Sequence, residues 1–413
     1  MSYALVVSPP GADKGRGVTE LPTVSWREEG EVRTALWRSG SGLPPPKRVV
    51  IADDRMKADV AYHLACEGTA ILWRGDFQNA RQQLTALVRR IDAPRMGNKP
   101  SVAKADMSTP VAPSLPLSAD VFHRYRLMQS QRARTLGMLL LPFDADFRIP
   151  LRRAPDVQQA CAEAYGTAAL PFIASLRELL GIIGAHEWRT KGIEVSALGA
   201  RIHPHYGVFA PIRSEYVDLV ATAPLPPALL EIPARGVAFD VGTGTGVLSA
   251  LLAKRGVAHI VAAERDPRAL ACARDNIAAL KLGAQVEVRQ AELYPDGCAA
   301  LVVCNPPWIP ARPVSSLEHA VYDPESSMLR GFLNGLVAHL EPGGEGWLLL
   351  SDLAEHLGLR TRPELLALID AAGLIVLDRI ETRPHHPRVA DVSDPLYVAR
   401  QAEVTSLWRL RAR

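Results

Sequence analysis

The sequence of 413 residues contains no run of about 18 uninterrupted apolar residues, the length that a membrane-spanning helix needs. Its first residues lack the basic and long apolar segments of a secretory signal. Aromatic residues make up only 6%, and the five cysteines form no C-x-x-C pair. The mean hydropathy of +0.03, with 22% charged residues, excludes a collagen, a disordered acidic chain and a polytopic membrane protein. We therefore expect a cytoplasmic globular protein of two or three domains with reduced cysteines.

Charge is divided unevenly along the chain. Residues 1–230 carry a net charge of +6, whereas residues 231–413 carry a net charge of −3. A basic first half could contact a nucleic acid or an acidic partner, although an ordinary solvated surface explains the same charges. The same two interpretations apply to a predicted helix that carries four basic residues, Arg124, Arg126, Arg132 and Arg134.

The first half of the chain divides into segments of different composition. In chain order we predict a flexible lead-in (1–45), a small strand–helix–strand–helix unit (46–93), a proline-rich linker (94–119), a helical substrate-recognition region (120–190), and a β-hairpin with a connecting segment (191–222). His203 and His205 flank a proline in the hairpin segment. Because the sequence offers no third ligand near them, we predict no metal site.

Residues 223–413 alternate between apolar strands and helices, and four of the strands end at a polar or glycine position. These positions are Gly242, Glu264, Glu292 and Asn305. Alternation at this spacing predicts a doubly wound α/β fold with right-handed crossovers. Ligands in such sheets bind at the carboxyl ends of the strands, so we expect these positions to line one site.

Three glycines, Gly242, Gly244 and Gly246, follow the first of these strands and open a helix. Without Cβ atoms the backbone can turn sharply and a ligand can approach it closely. A dinucleotide fingerprint would place its third glycine at position 247, where the chain has valine. Asp240 would repel a pyrophosphate but can pair with an ammonium group, and Glu264 can accept two ribose hydroxyls. An amino acid joined to a ribose without a diphosphate describes S-adenosylmethionine.

The segment Asn305-Pro306-Pro307-Trp308 follows the fourth strand. Its prolines fix the backbone and remove two N–H donors. The Pro306 carbonyl and the Asn305 side-chain carbonyl can then both accept hydrogen bonds from one planar NH₂ group, and Trp308 offers a flat face for stacking. A nitrogen held in line with a sulfonium methyl in this way needs no strong general base.

These motifs resemble class I S-adenosylmethionine-dependent methyltransferases of the N-P-P-aromatic type over about residues 205–413. The likeness is greatest to the glutamine-amide methyltransferases of release factors and ribosomal protein, and it extends to related RNA and adenine-N6 methyltransferases. Arg213 and Glu215 match part of the P-R-P-E-T-E segment of the glutamine enzymes. The family's usual tyrosine or phenylalanine is Trp308 here, and the front half is unlike the short helical bundle of those enzymes.

The resemblance implies a seven-stranded Rossmann-like domain at 223–413 and a role for each motif residue. Asn305, Pro306, Pro307 and Trp308 would be catalytic, with Asn305 and Pro306 holding the substrate nitrogen. Glu292 would contact the adenine amine. The remaining cofactor-binding positions would be Asp240, Gly242, Thr243, Gly244, Thr245, Gly246, Glu264, Arg265 and Asn305.

We therefore predict an S-adenosylmethionine-dependent N-methyltransferase that acts on a macromolecule, either a protein glutamine or an RNA or DNA base. A small-molecule N-methyltransferase of specialised metabolism is the alternative. A non-catalytic binding module is disfavoured by the intact N-P-P-W segment, and an NAD-dependent oxidoreductase is disfavoured by Val247. The basic residues in front of the predicted domain would select the substrate.

Overall fold

The computed structural model describes residues 22–93, 118–167, 170–231, 236–313, 318, 320–385 and 391–413. The chain divides into two units. The first consists of Met1–Asn98 and Gln131–Ile183, and the second of Lys99–Ser130 and Gly184–Arg413. In the part of the chain that is described, no helix is long and apolar enough to cross a membrane.

The first unit contains a six-stranded mixed sheet. Its strands are β1 (Thr23–Glu28), β2 (Glu31–Trp37), β3 (Arg48–Ala52), β4 (Thr69–Trp73), β5 (Leu139–Phe143) and β6 (Phe172–Ser175), and their order is β1-β2-β6-β5-β4-β3. The helices are α1 (Ala58–Cys66), α2 (Phe77–Asp92) and α4 (Gln158–Tyr165), and the unit boundaries fall within α3 (Ala119–Leu136) and α5 (Leu176–Lys191).

The prediction of a flexible lead-in at 1–45 is wrong for its described part, because β1 and β2 form an antiparallel hairpin. Val24 and Trp26 are buried while their neighbours in β1 are exposed, the alternation of a strand with one face in a core. Glu29 and Gly30 make the turn at positive φ. Residues 1–21 lie outside the described residues, as does most of the predicted linker at 94–119.

Two further expectations for the first half need correction. The region 120–190 is not helical throughout, because it supplies β5 and β6, whose residues are all buried. Such short strands, buried throughout, lack the alternation that distinguishes a strand from a buried helical turn. The strands at 46–93 are not a unit of their own either, since β4 pairs with β5 and both belong to the six-stranded sheet.

The second unit contains a seven-stranded sheet and a separate hairpin. The hairpin strands are β7 (Ile193–Val195) and β8 (Ala200–Ile202), which pair antiparallel as predicted. The sheet strands are β9 (Val237–Val241), β10 (His259–Glu264), β11 (Val286–Gln290), β12 (Ala299–Cys304), β13 (Leu340–Ser351), β14 (Leu374–Thr382) and β15 (Thr405–Ala412), in the order β11-β10-β9-β12-β13-β15-β14. The first five strands of that order are parallel, and β15 is antiparallel to both of its neighbours.

The helices of the second unit cover both faces of this sheet. They are α6 (Glu215–Thr222), α7 (Pro227–Glu231), α8 (Val247–Lys254), α9 (Pro267–Ala279), α10 (Ser327–His339), α11 (Leu353–His356), α12 (Arg362–Ala371) and α13 (Tyr397–Ala402). Alternate residues of one strand enter different cores: Leu301 and Val303 pack with α6 and α8, whereas Val302 and Cys304 pack with α10 and α12. Helices thus cover both faces of a largely parallel sheet, and this arrangement confirms the predicted α/β fold class. Strands covered on both faces are continuously apolar.

A buried ion pair joins β13 to β15. Arg409 donates from Nε and Nη2 to the two carboxylate oxygens of Glu345, at 2.8 and 2.7 Å, and Trp347 Nε1 donates to the same carboxylate at 3.1 Å. Glu345 is only 4% exposed. The hydrogen bonds to Glu345 raise the pKa of Arg409, so this arginine remains charged in the fold.

We expect Glu345→Ala to lower the free energy of unfolding by about 3 kcal/mol, because it leaves a largely buried guanidinium without its carboxylate. Chemical denaturation measures the change. The control is Glu287→Ala, which removes the partner of Arg289 from a solvent-exposed pair and should cost less than about 1 kcal/mol. Equal losses in the two variants would contradict a stabilising role for the buried pair.

Candidate functional site

The carboxyl ends of four adjacent parallel strands, β11, β10, β9 and β12, meet at one edge of the sheet. Gly242 follows β9 directly, Glu264 is the last residue of β10, and Asn305 follows β12. Glu292 lies two residues beyond the end of β11. The structure therefore brings the positions predicted from four separate segments to the same edge.

The loop from Gly242 to Gly246 joins β9 to α8 through a backbone that favours glycine. Gly242, Gly244 and Gly246 have φ values of 73°, 56° and 81°, a region that L-residues with side chains rarely adopt. A Cβ atom on Gly242 would also lie 2.6 Å from the methyl carbon of Met328 in α10. The backbone conformation therefore favours glycine at position 242, and any larger residue would also displace the end of the Met328 side chain.

Asp240 lies beneath this loop and is 1% exposed. Its Oδ2 accepts hydrogen bonds from the Thr243 hydroxyl at 2.6 Å, from the Ser249 hydroxyl at 2.6 Å and from the Ser249 N–H at 3.0 Å. Its Oδ1 is enclosed and accepts no hydrogen bond from any residue that the structure describes. Burial raises the pKa of the Asp240 carboxyl above its ordinary value, and the hydrogen bonds from Ser249 and Thr243 oppose this rise only in part. One carboxylate oxygen thus braces the loop, while the other can still accept a donor such as an ammonium group.

Glu264 is fixed by the backbone on both sides of its carboxylate. Oε2 accepts from the Gly244 N–H at 3.1 Å, and Oε1 accepts from the N–H groups of Arg265 and Asp266 at 2.9 and 3.0 Å. A carboxylate can accept about four hydrogen bonds, so capacity remains for a hydroxyl donor. The side chains of Arg265 and Glu292 pair with each other at 3.0 Å, and both are largely exposed.

The Asn305-Pro306-Pro307-Trp308 segment is organised by a hydrogen bond within it. Trp308 Nε1 donates to Asn305 Oδ1 at 2.8 Å. The Trp308 ring packs against apolar clusters of the second unit, and the Arg213 guanidinium lies over the ring, 5.0 Å from its centroid. Arg213 lies over one face of the ring, and the indole N–H donates to Asn305. The predicted stacking of a planar substrate group on Trp308 stays a prediction.

Arg213 belongs to a buried charge cluster that sequence reasoning identified only in part. It donates to Glu215 at 2.5 Å and to Glu403 at 3.0 Å. Glu403 also accepts from the hydroxyl of Ser351, the last residue of β13, at 2.6 Å. The resemblance had singled out Arg213 and Glu215, but Glu403 is 190 positions away along the chain and carries no motif.

Asn276 in α9 supports the glycine loop and was missed entirely by sequence reasoning. Its Nδ2 donates to the Thr245 carbonyl at 3.0 Å and to the His203 carbonyl at 3.3 Å, and its Oδ1 accepts from the His203 N–H at 2.8 Å. The residue is 2% exposed. The available signal was an amide on the apolar face of α9, which also carries Ala273 and Ile277.

Other polar side chains near these segments make structural contacts. His203 Nδ1 is 2.7 Å from the Arg189 carbonyl, and His205 Nε2 is 3.0 Å from the Asp275 carboxylate. No group of three side chains suited to a metal occurs among the residues that the structure describes. Burial raises the pKa of the Cys304 thiol well above its usual range and that of Cys272 to about 11, so neither provides a thiolate near neutral pH.

We expect Asn276→Asp to lower the free energy of unfolding by about 2 kcal/mol, because a carboxylate cannot donate to the Thr245 and His203 carbonyls. Chemical denaturation tests this expectation. Asn334→Asp, at an exposed position of α10, is the matched control and should change the free energy of unfolding by less than about 0.5 kcal/mol. A loss no larger than in the control would show that the Asn276 bonds contribute nothing.

The stretch that contains these motifs is similar to known proteins. Residues 199–359 match the family Methyltransferase small domain. The release factor glutamine methyltransferase of Cereibacter sphaeroides is 34% identical over 151 residues, which cover 33% of this chain and 51% of that protein. The enzyme of the same name from Mycolicibacterium smegmatis is 38% identical over 133 residues, 30% of this chain and 44% of that protein.

A second kind of relative covers the same share of the chain. The ribosomal protein L11 methyltransferase of Pelotomaculum thermopropionicum is 34% identical over 149 residues, 35% of this chain and 40% of that protein. The chain thus spans about half the length of the curated relatives it matches.

Solved structures of methyltransferases are also similar to the chain. A methyltransferase from Pyrococcus furiosus is 20% identical and covers 56% of this chain and 98% of its own, with a TM-score of 0.35. The family match includes both the glycine loop and the N-P-P-W segment. Residues 199–359 are thus similar to the Methyltransferase small domain family, and about a third of the chain is similar to release factor glutamine methyltransferases.

Proposed function

We propose that this protein transfers a methyl group from S-adenosylmethionine to a planar amide or amine nitrogen of a macromolecule. The observation that carries the proposal is the position of Asn305, whose side-chain oxygen is fixed by Trp308 next to the β9 strand end that bears the glycine loop. Nitrogen methylation requires a loop that holds the cofactor and, close to it, an acceptor that orients the N–H groups of the substrate. Here the loop and the acceptor follow two neighbouring strands.

The cofactor site we propose consists of residues that fit its separate parts. The enclosed, unpartnered Oδ1 of Asp240 suits an ammonium group, which would satisfy an otherwise costly buried acceptor. Glu264, held by three backbone N–H groups, suits the ribose hydroxyls. Glu292 lies at the neighbouring strand end, where an adenine amine would reach it. The bound cofactor supplies an electrophilic methyl group on a sulfonium.

The proposed catalytic role of the chain is to orient the acceptor nitrogen. Asn305 Oδ1 has two acceptor positions, one of which holds the Trp308 N–H. The second accepts one N–H of the substrate, and the Pro306 carbonyl accepts the other. Two such bonds fix the plane of an amide or amine and direct the face of its nitrogen toward the methyl group. Because orientation provides the rate enhancement, the site needs no catalytic base of high pKa.

We propose a protein side-chain amide as the preferred substrate. The relatives are named as methyltransferases of release factor glutamine and of ribosomal protein L11, both of which are proteins. An RNA or DNA base has the same planar NH₂ chemistry and is the second candidate, since the first 230 residues carry a net charge of +6. We further propose that residues 22–183, whose sheet the transfer chemistry does not require, select the substrate.

We expect the full-length protein to bind S-adenosylhomocysteine with a stoichiometry of one in isothermal titration calorimetry. Gly242→Ala should weaken this binding about tenfold or more, because alanine is strained at the positive φ of this position. Its Cβ would also contact the Met328 methyl group. Gly181→Ala, at a helical glycine with open space around it, should leave the affinity unchanged. Absence of binding to the wild-type protein would overturn the proposal.

We expect Asn305→Ala to reduce methyl transfer at least about a hundredfold while changing the affinity for S-adenosylhomocysteine less than about twofold. Incorporation of labelled methyl from S-adenosylmethionine into a cell extract measures the transfer, and the labelled fraction separates protein, nucleic acid and small-molecule acceptors. Asn334→Ala on the surface of α10 is the control. Transfer that survives Asn305→Ala would remove Asn305 from the catalytic site.

A further inference from the structure

We propose that Arg213, held by Glu215 and Glu403, is a positioning residue for Asn305 and acts on it through the indole of Trp308. The inference rests on the proposed function, because it concerns how the acceptor oxygen of that site is oriented. It assigns a role to Trp308 other than stacking on the substrate.

The hydrogen bond from Trp308 to Asn305 determines which atom of the Asn305 amide faces the indole. An indole N–H can only donate, so the atom of Asn305 that it contacts must be the amide oxygen. A terminal amide rotates easily between two orientations that exchange its oxygen and nitrogen. With the Trp308 bond in place, the orientation with Oδ1 at the indole is favoured, and the remaining acceptor position of that oxygen is fixed. A phenylalanine ring at position 308 has no group that could do this.

The Trp308 ring is in turn held in place by Arg213. The Arg213 guanidinium lies 5.0 Å from the ring centroid, and its side chain is only 23% exposed. Its Nε is bound to Glu215 and its Nη2 to Glu403, so the plane of the guanidinium is fixed from two directions. A planar cation held in this way can pack flat against an indole, which a lysine ammonium cannot do.

Arg213 is attached to the sheet through Glu403 and Ser351. Glu403 is 2% exposed and accepts from the Ser351 hydroxyl, which in turn accepts from the Leu353 N–H at 3.0 Å. Ser351 ends β13, the strand paired with β12, and β12 leads into Asn305. Burial lowers the pKa of Arg213, but the carboxylates of Glu403 and Glu215 outweigh it and raise the pKa, so the guanidinium keeps its charge. The orientation of Asn305 is therefore tied to the rigid part of the sheet.

The test compares Trp308→Phe, Arg213→Lys and the double variant in the full-length protein. Each single variant should lower kcat for labelled methyl transfer about fivefold, the effect of one neutral hydrogen bond of about 1 kcal/mol. The KM for S-adenosylmethionine and the affinity for S-adenosylhomocysteine should stay within about twofold of wild type. Because both residues act through one bond, the double variant should also lose about fivefold and not about twenty-five-fold. Trp188→Phe, at an exposed tryptophan of α5, is the matched control and should keep full kcat.

A second measurement does not depend on turnover. In the ¹⁵N–¹H spectrum, the indole N–H signal of Trp308 is identified as the one that Trp308→Phe removes. The exchange of this proton with water should be slow in the wild type and at least about tenfold faster in Arg213→Lys. Unchanged exchange in Arg213→Lys, wild-type kcat in Trp308→Phe, or multiplied losses in the double variant would each overturn the inference. A wild-type protein that binds no S-adenosylhomocysteine would overturn the proposed function instead, and the exchange measurement would still decide whether Arg213 holds the indole.

Discussion

The glycine loop after β9 is the constraint on which the site depends, and it is held by hydrogen bonds from four directions. Asp240 braces it from below, and Glu264 binds the Gly244 N–H from the next strand. The Ala263 carbonyl accepts from the loop, and Asn276 holds the Thr245 carbonyl from α9. Because glycine adopts positive and negative φ with similar ease, these contacts select one conformation of a backbone that would otherwise be flexible. The loop therefore has one shape against which a ligand can be positioned.

The electrostatics of this edge favour a cationic ligand over a diphosphate. Asp240, Glu264 and Glu292 all lie at neighbouring strand ends. Glu292 is paired with Arg265, but among the described residues no Lys or Arg side chain is hydrogen-bonded to Asp240 or Glu264. Carboxylates without nearby compensation repel phosphate groups and stabilise an ammonium or a sulfonium. The charge that distinguishes the second half of the chain in the sequence is thus partly a property of the proposed cofactor site.

The strands of the second unit could be predicted from the sequence, whereas several strands of the first unit could not. The difference lies in how clearly each sequence pattern indicates a strand. Parallel strands covered on both faces are continuously apolar and end at polar positions, so β9 to β12 and their terminal residues could be recognised. The strands β5 and β6 have only five and four residues and pair with partners distant in sequence, so neither length nor periodicity reveals them. Asn276 and Glu403 were not predictable for a related reason: their partners are 73 and 190 positions away. Trp308 was recognised as a flat ring, but only the folded geometry shows where its N–H points.

We propose above all that an amide oxygen fixed beside the glycine loop selects a planar nitrogen as the methyl acceptor. The most direct measurement is to incubate the full-length protein with isotopically labelled S-adenosylmethionine and a cell extract, and to locate the transferred methyl group by peptide mass spectrometry. The account predicts a single methyl group on a side-chain amide nitrogen of a protein. A methyl group found on oxygen, carbon or sulfur, or no labelled product from a protein that binds S-adenosylhomocysteine, would contradict it.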